Sequence, residues 1–193
     1  MEYDETTALV VVDVQNDFAD PAGSLYVAEG EQVIPVVNRE VERAREVGAA
    51  VYYTQDWHPP ETPHFESSGG VWPRHCVQET WGAELHPDLR VEGAVVRKGT
   101  EGEDGYSGFT VREPETGAEH DTVLESLLRE HGATRVVVVG LAADVCVRAT
   151  ALDAVRRGFE TVVLRDGTRP VERRPGDGEA TFTELSAAGV HLR

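Results

Sequence analysis

The stretch DWHPPETPH, Asp56 to His64, sets the Asp56 carboxylate and two imidazoles within nine residues, and His75 follows eleven positions later in VWPRHC. Asp56 and His58 are two apart in what reads as extended chain, so their side chains point to the same side. Pro59, Pro60 and Pro63, with Gly69 and Gly70, give the loop the turns it needs to fold His64 and His75 onto that pair. A carboxylate with three imidazoles is a donor set for one divalent metal ion (zinc, iron or manganese), with positions left open for water or a ligand nitrogen. The plainer alternative is that these histidines are simply packed or exposed in a loop rich in Trp and Pro. Cys76, beside His75, reads as structural because adjacent side chains diverge in extended chain. His86, His120, His131 and His191 have no clustered partners and read as surface residues.

A second group carries nucleophile chemistry. Cys146 falls near the opening of a helix that follows VVVVGLAADV, with Asp144 as its natural cap. Free backbone N–H groups and the positive end of the helix dipole would lower the thiol pKa there. A buried, inert cysteine is the competing reading. Asp13 follows ALVVV and Lys98 follows GAVVR; the first could accept a thiol proton and the second could stabilise a thiolate. Cysteine, base and cation at neighbouring strand ends specify acyl transfer.

The elements that must position these groups are legible in the pattern. Four times an amphipathic, charged stretch ends in Gly and passes into an apolar run: VERAREVGAAVYYT, LLREHGATRVVVVG, AVRRGFETVVL and LSAAGVHL. Each reads as helix, glycine C-cap and buried strand. With ALVVVDV and GAVVRKG this predicts six strands, near 8–13, 50–54, 94–97, 135–140, 160–164 and 189–192. Helices are predicted over about 31–47, 121–131, 144–157 and 178–187; in the first, Val33, Val37, Val41 and Ala44 recur at helical spacing. The alternation predicts an α/β fold, a doubly wound six-stranded parallel sheet with helices on both faces. The long intervals 55–93 and 98–120 read as functional loops rather than linkers. In such sheets ligands bind beyond the carboxyl ends of the strands, where Asp13, Asp56, Lys98 and Cys146 all fall.

Composition narrows the partners. The chain has 193 residues, 40% of them hydrophobic, which suits a single domain over 1–193. Lys and Arg number 18 against 35 Asp and Glu, a net charge of −17 that repels nucleic acid and anionic membrane surfaces. No apolar run approaches the roughly 20 residues of a membrane span, and the start lacks a basic signal region. A soluble cytoplasmic protein is expected, with homo-oligomerisation left open. Two cysteines are too few for a disulfide framework. The stretch KGTEGEDG lacks the G-K-[ST] ending of a phosphate cradle.

Four segments, in order, carry a resemblance: DVQNDF, the DWH…HF…WPRHC loop, KGTEGEDGYSGF, and VVVVGLAADVCVRATALDA. From about residue 8 to 165 the chain resembles the nicotinamidases of the cysteine hydrolase superfamily that also contains isochorismatase. The resemblance implies a catalytic triad of Asp13, Lys98 and Cys146 and an oxyanion hole from the backbone N–H groups of Ala142 and Cys146, with a cis Leu141–Ala142 peptide. It implies one divalent metal on Asp56, His58, His64 and His75, holding the pyridine nitrogen of nicotinamide. It also implies a substrate wall that includes Phe18, Trp72, Tyr106 and Leu141. Ala143 stands where relatives often carry Thr, and Glu66 where small polar residues are common. Two other readings stand beside this one: a related cysteine amidohydrolase acting on another small amide or N-carbamoyl compound, and a non-catalytic metal-binding or redox-sensing protein.

Overall fold

A computed structural model describes residues 2–193. The first strand, β1 (Thr7–Val12), is buried along its whole length, as a strand covered on both faces must be. It pairs in parallel with β2 (Ala50–Asp56) on one side and β6 (Arg135–Leu141) on the other. Beyond these lie β3 (Ala94–Lys98), and β7 (Glu160–Arg169) with the two-residue β8 (His191–Leu192). The sheet order is β3-β2-β1-β6-β7-β8, every neighbouring pair parallel. Chain direction across the sheet reverses between β1 and β6, and that switch opens a crevice at the strands' carboxyl ends.

Alternate residues of each strand serve the two faces. Leu9, Val11, Val137 and Val139 pack under α2 (Val33–Glu46), which presents Val33, Val37, Val41 and Ala44. Ala8, Val10, Val136 and Val138 meet Leu124 and Leu128 of α3 (Leu124–His131), Ala151 and Ala154 of α4 (Arg148–Arg156), and Phe182 and Leu185 of α5 (Asp177–Ala187). The glycines expected to close the four helices, Gly48, Gly132, Gly158 and Gly189, all have left-handed φ, between 76° and 94°.

The differences from the sequence reading are local. A single turn, α1 (Asn16–Ala19), follows Asp13. The third helix begins at Leu124 rather than 121, because Glu119–Asp121 form β5, antiparallel to β4 (Thr110–Arg112), in a hairpin outside the main sheet. β7 runs to Arg169 and meets β6 with a register shift between Val138 and Gly140. The segment predicted as helix 144–157 opens with a π-helical turn, Ala143–Val147, before α4.

Candidate active site

Four consecutive strand ends converge at the switch point. Asp56 and Lys98 are register partners at the ends of β2 and β3, Asp13 follows β1, and Cys146 lies in the turn after β6. The Lys98 ammonium, 2% exposed, is ion-paired with Asp56 Oδ1, sits 2.9 Å from Asp13 Oδ2 and 3.8 Å from Cys146 Sγ. One oxygen of each carboxylate and the sulfur all lie within 4.8 Å of one another. Thr54 Oγ1 donates to Asp13 Oδ1 at 2.6 Å, whereas Asp13 Oδ2 faces the Lys98 ammonium.

Electrostatics set the resting state. Burial pushes the Cys146 thiol well above its usual pKa; Lys98 pulls it down, and Asp13 and Asp56 push it up again. Burial and two neighbouring carboxylates thus oppose the acidification expected of a thiol at a helix terminus. Burial likewise raises Asp13, against the pull of Lys98. For Asp56 burial is overcome by the charge of Lys98 and by His58, which hold it well below the carboxylate range. Burial alone would lower Lys98, but the two carboxylates keep it charged. Burial therefore favours the protonated form of both the thiol and the Asp13 carboxyl.

The turn that carries Cys146 also departs from expectation. Asp144 is not a cap: its carboxylate accepts the N–H groups of Val171 and Glu172, tying this turn to the segment after β7. The cap position belongs to Ala142, extended at φ −97° and ψ 153°, and the Leu141–Ala142 peptide is cis. The Ala142 carbonyl accepts from Val145 and Val147 at 3.1 Å, so the first i→i+5 bond closes one residue past Cys146.

Beside the sulfur, one ring nitrogen from each of His58, His64 and His75 lies within 4.8 Å of the others, all three rings buried. His64 Nδ1 bonds Asp104 Oδ1 at 2.7 Å and His75 Nδ1 bonds the Pro73 carbonyl at 2.7 Å, which leaves Nε2 of each available. Both nitrogens of His58 are buried with no hydrogen-bond partner among the described residues, and Asp56 Oδ2 is 3.8 Å from its Nε2. Leaving a buried imidazole without partners is costly unless something ligates it. The donor set therefore fits a divalent metal. Gly99, at φ 75°, packs against His58 so closely that a Cβ there would lie 2.7 Å from the ring.

Phe18, Trp72 and Tyr106 line the pocket over this cluster, with Trp72 Nε1 donating to Tyr106 Oη at 3.0 Å and Phe18 5.4 Å from the His75 ring. Ala142, Cys146, Asp56, His64 and His75 complete its floor. Leu141 does not line it: its side chain, fully buried, points from β6 into the core on the α2 face. Leu25, Val27, Val145 and Val171 do line it, apolar positions that nothing in the sequence separates from core. His86, expected at the surface, is buried, with its backbone N–H donating to the Val14 carbonyl. Sequence reasoning also missed Gln15, which brackets the Asp56 backbone at 2.7 and 2.8 Å, and Asp17, whose carboxylate accepts the Cys76 N–H at 2.7 Å. Asp104, missed too, has its carboxyl held well below the usual range, first by His64.

The chain belongs to the isochorismatase domain family, whose model matches residues 7–192. Within it the chain is 39% identical to the nicotinamidase of Escherichia coli, over 96% of this chain and 93% of the relative. Among solved structures, the pyrazinamidase of Pyrococcus horikoshii in complex with zinc superposes with a TM-score of 0.86 at 42% identity, covering 97% of this chain and 98% of the other. PnC1 from L. infantum in complex with nicotinate superposes at 0.87 and 39% identity, covering 100% and 95%.

Proposed function

We propose that this protein hydrolyses nicotinamide to nicotinate and ammonia through a thioester on Cys146, the whole chain, 1–193, acting as one domain. The observation that carries the reading is the meeting of Cys146, Asp13 and Lys98 directly beneath an aromatic pocket floored by His64 and His75. Its support includes the nicotinamidase and pyrazinamidase relatives. Asp56, His58, His64 and His75 would hold one divalent ion, which supplies a Lewis-acid anchor for a ligand nitrogen.

Phe18, Trp72 and Tyr106 enclose a flat ring and exclude water, and the ring's carboxamide faces Cys146. Asp13 takes the thiol proton on Oδ2 as sulfur adds to the carboxamide carbon. The oxyanion so formed accepts hydrogen bonds from the Ala142 and Cys146 N–H groups. Asp13 returns the proton to the amide nitrogen as the C–N bond breaks and ammonia leaves. It then draws a proton from water as the water oxygen adds to the thioester carbon, and passes that proton to sulfur as the C–S bond breaks, which frees the acid product and restores both the thiol and the Asp13 carboxylate. Lys98 keeps its charge throughout and offsets the negative charge shared by Asp13 and sulfur. A role limited to storing metal or sensing oxidants has no use for a lysine buried between two carboxylates. Such a reaction would return nicotinate to pyridine-nucleotide salvage, and two free cysteines suit a reducing cytoplasm.

Ammonia release from nicotinamide is the test, with Cys146→Ala as the variant. The variant should lose roughly 10³-fold or more of the activity while retaining about one metal ion per chain. Turnover near the wild-type rate in that variant would rule out covalent catalysis.

A further inference from the structure

Of the three clustered imidazoles, His64 alone is hydrogen-bonded to a charged residue. His75 donates to a neutral carbonyl and His58 to nothing, while His64 Nδ1 meets Asp104 Oδ1 at 2.7 Å. Asp104 is itself fixed from three directions. Arg112 Nη2 donates to its other oxygen at 2.7 Å, the Gly105 N–H donates to Oδ1 at 2.9 Å, and a pair of 2.7 Å backbone bonds runs in both directions between Asp104 and Arg112. Arg112 closes β4, so the carboxylate that touches His64 is also the point where the β4–β5 hairpin is fastened to the loop after β3. Pro63, Pro114 and Gly117 flank the same spot.

A carboxylate at Nδ1 fixes the tautomer that leaves the Nε2 lone pair free, holds the ring's orientation and makes that nitrogen a stronger donor than a carbonyl partner would. We propose that Asp104, held by Arg112, is a positioning residue that aims His64 at the metal, so that ion binding and the docking of the β4–β5 hairpin are coupled. This rests on reading His58, His64 and His75 as ligands. Coupling of this kind is reciprocal: what the hairpin contributes to ion affinity, the ion returns to hairpin stability.

The experiment uses the full chain stripped of metal, with zinc affinity measured by chelator competition and the visible spectrum recorded with cobalt(II). Asp104→Ala, Asp104→Asn and Arg112→Ala are compared after circular dichroism has established that each folds. The wild-type chain should bind one zinc. Asp104→Ala should weaken binding by about 10- to 100-fold and alter the cobalt spectrum. Asp104→Asn, whose amide oxygen can still accept from His64, should recover part of that loss, and Arg112→Ala should lose less than Asp104→Ala. Zinc should slow amide hydrogen exchange across residues 104–121 in the wild type and not in Asp104→Ala. An affinity in Asp104→Ala within twofold of wild type, or equal zinc protection of 104–121 in both, overturns the proposal while the metal reading stands. A wild-type chain that binds no zinc or cobalt overturns both.

Discussion

Thr54 shows how much of this site is decided by single hydrogen bonds. Its hydroxyl donates to Asp13 Oδ1 at 2.6 Å and accepts the Asp13 N–H at 3.2 Å, which turns Oδ2 towards Lys98 and the sulfur. A hydrogen bond to a charged group contributes about 1.5–3 kcal/mol, so Thr54→Val should lower kcat roughly ten- to hundredfold. KM should change little, because Thr54 does not line the pocket. Steady-state kinetics on nicotinamide check this, and a KM increase with unchanged kcat would place Thr54 in substrate binding instead. The chemistry-bearing residues were legible because their types are rare in this chain and their spacing is tight: seven histidines, three of them between 58 and 75. Thr54, Gln15 and Asp104 were not, since each acts on a residue some forty positions away. Such a contact exists only once the strand order is known. Asp104 in particular lies among the acids of EGEDG, where one carboxylate looks like the next.

The central strands, with a strong apolar run, were found nearly at their true limits, whereas β7 runs five residues beyond its apolar run and the elements without such a run were missed. β4 and β5, TVR and EHD, are exposed or half-exposed throughout, so no alternation marks them, and the acidic run before α3 passed for its first turn. The π turn after β6 is set by tertiary demands, the Asp144 bonds to Val171 and Glu172 among them. Tyr53 in β2 illustrates an element-scale role hidden in a buried apolar run. Its hydroxyl donates to the Arg90 carbonyl at 2.7 Å and accepts the Glu92 N–H at 3.2 Å, pinning the approach to β3. Burial, partly offset by Arg45 and Arg90, pushes its pKa up to about 12 from 10.0. Below pH 10 the phenol is neutral in both folded and unfolded chains, and its contribution to stability is fully present. Between pH 10 and about 12 the unfolded chain ionises first, so that contribution is lost as pH rises. Tyr53→Phe should therefore cost about 0.5–1.5 kcal/mol near neutrality and show a shallower fall in Tm above pH 10. Parallel melting curves of the two proteins across that range would contradict the assignment.

At the scale of the whole molecule, one fact of topology brings the groups together: the sheet reverses direction between β1 and β6, and four successive strand ends deliver Lys98, Asp56, Asp13 and Cys146 to that crevice. The sequence could place those residues at strand ends without knowing the order of the strands. That order also makes Asp56 common to both halves of the site, with Oδ1 on Lys98 and Oδ2 towards His58. The segment between β2 and β3 is long and nearly free of regular structure, with three-residue 3₁₀ turns at Glu66–Ser68 and Trp81–Ala83. Gln15, Asn16, Gln55, Asn38 and Tyr53 hydrogen-bond its second half to the body and the Asp17 carboxylate holds Cys76, while the histidine cluster draws its first half together. A ligand that binds the folded chain and not the unfolded one adds about 2.7 kcal/mol when present at a hundredfold excess over its Kd, and each kcal/mol moves Tm by about 2–4 °C in a chain of this size. Chelation should accordingly lower Tm by about 5–10 °C, zinc should restore it, and His58→Ala should melt at the chelated value with or without zinc. If calorimetry instead finds the chelated and zinc-loaded proteins melting together, the loop is held by its hydrogen bonds alone, and the unpartnered nitrogens of His58 would need another explanation.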